Sequence, residues 1–150
     1  MSRYSSRANF EHGSREKAAV LLVNLGTPNA PTSSAVRKYL REFLSDPRVV
    51  EIPRLLWMLI LYLIILPLRS SRSAANYERV WEKEGSPLKF ISERQAAALH
   101  ENLKSRDENA PVVKLAMRYG EPAVSQVLQE LRDDGVQKLF VLPAYPQYSG

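Results

Sequence analysis

Three short strings hold the residue types that could do chemistry: Leu25-Gly26-Thr27-Pro28, Arg118-Tyr119-Gly120-Glu121-Pro122 and Tyr145-Pro146-Gln147-Tyr148-Ser149. Each follows an apolar run, and each carries glycine or proline that can turn the chain. A fourth group is Arg54, Arg69 and Arg72, which flank an uncharged stretch from Leu55 to Leu66. Paired arginines beside an apolar wall suit a ligand with an apolar body and carboxylate edges, because the guanidinium fork binds carboxylate in a bidentate way. The commoner chemistries lack their signatures. There is no GxGxxG after the first apolar run, no Walker-type phosphate loop, no histidine pair at metal spacing and no GxSxG elbow. With no cysteine, disulfides, thiolate metal sites and cysteine nucleophiles are excluded, a composition compatible with a reducing cytoplasm.

Strands must hold those strings. Residues 18–25 and 139–142 are short apolar runs without polar alternation, the pattern of strands covered on both faces of a parallel sheet. Residues 112–117 read as a further strand. A helix starts near Thr32, Ser33 and Ser34, any of which could cap it, and places Val36, Tyr39, Leu40, Phe43 and Leu44 on one face until Asp46-Pro47 ends it. Ser86-Pro87 opens another helix, cap then proline, burying Leu88, Ile91, Ala98 and Leu99 and leaving His100 at the surface. Pro122 opens a third, which buries Val124, Val127, Leu128 and Leu131 and stops at Asp133-Asp134-Gly135. Residues 112–142 therefore form a βαβ unit. In such a sheet ligands bind beyond the carboxyl ends of the strands, and adjacent strands would bring the three strings to one edge.

The 150 residues, 45% hydrophobic and 25% charged, suffice for one core, so the chain is one domain or most of one. Its net charge of +5 comes from scattered basic residues rather than a block, which favours anionic small molecules or lipid headgroups over nucleic acid. Residues 1–16 are polar, lack an apolar core and read as a disordered tail that includes His12. The stretch from Leu55 to Leu66, closed by Pro53 and Pro67, reaches only ~18 Å as a helix at ~1.5 Å per residue, short of a ~30 Å bilayer core. It is either a core helix or an exposed apolar lip that docks on a membrane or admits a flat ligand.

Five motifs in order resemble the ferrochelatases, bacterial members most closely: residues 22–28 (LVNLGTP), 65–70 (ILPLRS), 85–88 (GSPL), 117–120 (MRYG) and 145–149 (YPQYS). The resemblance implies insertion of ferrous iron into protoporphyrin IX in heme biosynthesis, by a lyase of the metal-chelatase kind. It implies two similar Rossmann-like α/β domains with a parallel sheet and a porphyrin cleft between them, residues 17–150 being the first domain without its last elements. It further implies that Leu25 lines the porphyrin face, that Arg69 and Arg72 pair with propionates, that Ser86 lies near that edge, and that Arg118, Tyr119 and Tyr145 stand on the metal side. The family's catalytic histidine and glutamate match neither His12 nor His100 and are expected beyond Gly150, so this chain alone is expected to be inactive. Gly150 stands where some members carry a cluster-ligating cysteine, so neither an iron–sulfur cluster nor another cofactor is expected. The expected partners are protoporphyrin IX, the absent second domain and, through the apolar lip, the inner face of a membrane, with a cytoplasmic location. A non-catalytic porphyrin- or lipid-surface-binding module and a chelatase for another tetrapyrrole are the alternatives.

Overall fold

In the computed structural model, residues 16–145 are described. The tail expected over residues 1–16 falls outside them apart from Glu16, as do His12 and the end of the third string, residues 146–150. The first apolar run is strand β1 (Ala18–Thr27), and it lies between β2 (Val112–Gly120) and β3 (Lys138–Pro143), all parallel. Its central place explains its composition. Ala19, Leu21 and Val23 pack with Ala116 against Val127 and Leu131 of helix α5 (Val124–Asp133). Asn24, on the alternate face, donates from Nδ2 to Ser92 Oγ (3.0 Å) on helix α4 (Pro87–Arg106). Strands β1 and β2 are thus sandwiched between α4 and α5, and the three parallel strands deliver their carboxyl ends to one edge.

Helix α1 (Ser33–Leu44) begins as its sequence directs, with Thr32 Oγ1 accepting the Ala35 N–H (3.3 Å), and it buries Val36 and Tyr39. The next segment corrects the sequence reading. Pro67 does not close the apolar run: α2 (Arg54–Ile60), a π turn (Leu61–Ile65) and α3 (Leu66–Val80) form one helical run, Arg54–Val80, of 27 residues. A proline has no N–H and crowds the preceding turn, so a straight α-helix would be broken there. Here Pro67 lies in the first turn after the wider π turn, in which Leu66 N–H bonds to Leu61 C=O. The longer run is long and apolar enough to cross a membrane by length and composition, although only 17% of its most apolar window is buried. Leu61 and Leu66 alone of the apolar stretch are fully enclosed. Leu55 is 81% exposed, and Leu56, Leu59, Leu63 and Leu68 are exposed too, so among the described residues this run is an exposed apolar face rather than a core helix. Trp57 pins its start by donating Nε1–H to Leu44 C=O (2.7 Å).

Smaller expectations are refined as well. β3, whose composition fits a strand covered on both faces, has Leu139, Phe140, Val141 and Leu142 exposed, because among the described residues no helix packs closely on it, as α4 and α5 do on β2. The βαβ unit of residues 112–142 is present, its crossover through α5 passing over β1, which lies between β2 and β3. On α4 the buried positions are Phe90, Ser92 and Ala96, while Leu88, Ile91 and Ala98 are exposed; on α5 Leu128 is exposed beside buried Val127 and Leu131. Only one face of each helix meets the sheet, and these residues sit off it. His100 is half-buried rather than superficial, its Nδ1 enclosed without a hydrogen-bond partner among the described residues.

The exposed edge carries a prediction. Val141→Lys places a charge on an open strand without removing a core contact, so the thermal midpoint should move by no more than ~0.5 kcal/mol equivalent while aggregation of the purified chain slows. Light scattering during a thermal ramp checks this, and unchanged scattering would reject β3 as the adhesive edge.

Candidate functional site

At the carboxyl edge of the sheet two backbones approach closely. Gly26 has φ +112°, and a Cβ there would lie 1.8 Å from the carbonyl oxygen of Tyr119, its register partner on β2. That approach sets the position of the β2 end, from which Arg118 and Tyr119 extend. Tyr119 is held from one side by Phe43, whose ring meets it edge-on at 5.0 Å, and the Arg118 guanidinium lies 5.0 Å from its ring centre. Phe43 in turn stacks on Tyr39 (6.1 Å), whose hydroxyl donates to Gly26 C=O (3.2 Å). Burial raises the Tyr39 pKa, so this hydroxyl stays a donor.

Leu25, Arg118, Tyr119 and Tyr145, four of the residues expected from sequence, line one pocket of about 210 Å³. Phe43, Arg48 and Val49 complete it. Arg48, Arg118 and Tyr119 also line a larger neighbouring groove of about 630 Å³. That groove adds the cations Lys38, Arg41 and Arg54 against only two carboxylates, Glu42 and Asp46, and Tyr62 of the apolar run reaches it. A half-open, largely apolar slot therefore joins a cationic groove at the foot of the exposed helix.

Asp46, the residue that sequence reasoning used only as a helix stop, organises the junction. Its Oδ1 accepts the Arg48 N–H (2.9 Å), and its Oδ2 accepts both Arg118 Nη2–H (2.6 Å) and the Tyr119 hydroxyl (3.1 Å). The hydrogen bond from Arg48 N–H, with Tyr119 and the two guanidiniums adding to it, lowers the Asp46 pKa and keeps the carboxylate ionised. Burial first, and then the bond to Asp46, raises the Tyr119 pKa. The string Asp46-Pro47-Arg48 was the available signal, since an aspartate two residues before a free N–H makes a local turn of its own. Nothing in the string tells that its second oxygen meets residues 72 and 73 positions away.

The other expected residues stand apart. Arg69 and Arg72 are exposed on α3, with no hydrogen bond or ion pair among the described residues, and they line neither pocket. Ser86 is buried, and its side chain makes no cap bond to α4; its Oγ accepts from Thr27 Oγ1 (2.8 Å) and ties the α4 start to the end of β1. Among the described residues no cluster of histidine and carboxylate groups could hold a metal ion.

Residues 17–150 match the ferrochelatase family model. The chain belongs to the ferrochelatase family. Among curated ferrochelatases, that of Janthinobacterium sp. (strain Marseille) is 59% identical over 141 residues, covering 94% of this chain and 38% of its own length. Ferrochelatase 2 of Shewanella oneidensis is 59% identical over 138 residues, covering 92% of this chain and 42% of its own. The ferrochelatase of Alcanivorax borkumensis is 52% identical over 147 residues, covering 98% and 43%. This ferrochelatase chain thus spans about two-fifths of the length of the curated relatives it matches, and its described residues form an α/β chelatase-type domain.

Proposed function

We propose that this chain supplies the porphyrin-binding wall of a ferrochelatase, the enzyme that inserts ferrous iron into protoporphyrin IX to make protoheme. One observation carries the reading: Leu25, Arg118, Tyr119 and Tyr145 converge from three strand ends on a single slot that opens onto a cationic groove. A tetrapyrrole is a large apolar plate, so Leu25 and the aromatic rings gain by covering it, at ~25 cal/mol per Å² of apolar surface. Its propionates need charge-assisted hydrogen bonds, worth ~1.5 to 3 kcal/mol each when shielded. The arginines of the groove, with Arg69 and Arg72 on the outer helix, are the donors for that edge. Insertion also requires a base for two pyrrole protons. Asp46 has its oxygens engaged by three donors and a lowered pKa, and Tyr119 is held protonated, so neither serves. The base and the group that hands over the iron substrate come from outside residues 16–145. The exposed apolar face of residues 55–68, flanked by Arg54, Arg69 and Arg72, rests on an anionic membrane surface.

Titration of protoporphyrin IX into the purified chain, followed by absorbance and fluorescence, tests the reading. Leu25 is 36% exposed and faces the pocket, so Leu25→Asp spares the core while placing a charge against the plate. Saturable binding is expected for the unaltered chain, with affinity lowered at least tenfold in Leu25→Asp and less in Arg69→Ala/Arg72→Ala, whose arginines are exposed. Equal, unsaturable uptake by all three proteins would reject the pocket as the porphyrin site.

A further inference from the structure

Arg118 and Tyr119 are consecutive on a strand, and consecutive strand side chains point to opposite faces. Both nevertheless reach the same oxygen, Asp46 Oδ2, at 2.6 and 3.1 Å. The Asp46 side chain is only 10% exposed, against 41% for Arg118, and its own turn aims it, because Oδ1 is fixed by the Arg48 N–H. This is a preset acceptor on which two ligand-facing groups converge.

An ionised carboxylate accepts hydrogen bonds and cannot donate them. The Tyr119 hydroxyl must therefore spend its one proton on Asp46. We propose that Asp46 is a positioning residue, which fixes the direction of the Tyr119 hydroxyl so that its oxygen offers only lone pairs to a ligand, and holds Arg118 by one nitrogen with its other donors turned outward. The ligand that fits has hydrogen-bond donors, such as pyrrole N–H groups, facing Tyr119 and an anionic edge within reach of Arg118. The identity of that ligand rests on the porphyrin reading; the polarity of the hydroxyl does not. A neutral amide at position 46 would remove the obligation, since its N–H could donate to Tyr119 and release the phenol proton toward the ligand.

Tyrosine labelled with ¹³C at Cζ reports this without any ligand, because that carbon senses what the hydroxyl bonds to. The Tyr119 signal, assigned by its loss in Tyr119→Phe, should stand apart from that of Tyr62, which has no hydrogen-bond partner among the described residues and is assigned by Tyr62→Phe. In Asp46→Asn the Tyr119 signal should move toward that of Tyr62. Protoporphyrin IX affinity should fall about tenfold in Asp46→Asn, the equivalent of ~1.4 kcal/mol, and less than about twofold when the same change is made in an Arg118→Ala/Tyr119→Phe background. A merely structural aspartate would weaken binding equally in both backgrounds, and that result overturns the proposal. So does a Tyr119 signal that coincides with Tyr62 in the unaltered chain, a comparison that holds even if Asp46→Asn does not fold. A different pattern, no saturable porphyrin binding with the Tyr119 signal still moved by Asp46→Asn, would uphold the role of Asp46 and reject porphyrin as the ligand.

Discussion

Gly26→Ala should remove a large share of the stability of the fold. The added methyl would lie 1.8 Å from the Tyr119 carbonyl oxygen and 2.8 Å from its carbon, both backbone atoms that no rotamer change can move. Relief requires β1 and β2 to part at the register pair Gly26–Tyr119, where the sheet edge carries Arg118 and Tyr119. The penalty should exceed ~4 kcal/mol, a large share of the ~5 to 15 kcal/mol that stabilises a typical domain. Gly85→Ala is the matched control: Gly85 has nearly the same φ, +111°, but a Cβ there meets nothing within 4 Å. It should cost only backbone strain, ~1 to 3 kcal/mol. Circular dichroism melts of the two variants decide the matter, and equal midpoints would show that strain, not the approach of the two strands, makes glycine necessary at position 26.

Leu21→Ala carries the second large effect. Leu21 is 1% exposed at the centre of the middle strand and packs in the cluster with Val127 and Leu131 of α5. Strands pair on both sides of it and α5 covers it, so the space left by the truncation cannot collapse. Such changes cost ~3 to 5 kcal/mol, or roughly 10 °C in midpoint for a chain of this size. Val141→Ala, at the register partner of Leu21 on β3, removes methyl groups from an exposed position and should cost a fraction of that. Denaturant unfolding of both variants measures the contrast. Similar losses would mean that β3 is covered in solution and that the exposed edge is not its working state.

What could be read from the residues depended on how local the determining contacts are. The Thr32 cap and the β1 run were legible because each is specified by its own few residues. The convergence of Leu25, Arg118, Tyr119 and Tyr145 followed from the rule that parallel strands share a carboxyl edge, together with the family resemblance. The apolar run of β3 tells that this strand can be buried, not that something lies upon it, and among the described residues its faces are open. Pro67 was misread because the rule that proline ends helices assumes an α-helical turn before it, and a π turn stands there instead. Asp46 escaped notice because its partners are more than 70 positions away and their meeting depends on packing between α1 and β2. Ser86 was placed correctly at a helix start, yet its hydroxyl turns to Thr27 rather than to the helix it precedes.

The π turn makes the helical run behave as a rod with a built-in phase shift. Leu61 and Leu66 are five positions apart, which in an α-helix of ~3.6 residues per turn would put them on different sides. Both are fully buried, and the wide turn that joins Leu66 N–H to Leu61 C=O brings the second back beneath the first. Upstream, the rod is indexed by Trp57 on the end of α1; downstream, by Leu66, Ser70 and Ala74. Deleting one residue from Leu61–Ile65 would close the same circuit with four residues in an ordinary α turn, leaving Arg69 and Arg72 at nearly the same azimuth relative to Leu55 and Leu59. The π turn therefore absorbs one residue without rotating the outer arginines against the apolar lip, whereas straightening it to α at constant length would swing them by about 100°.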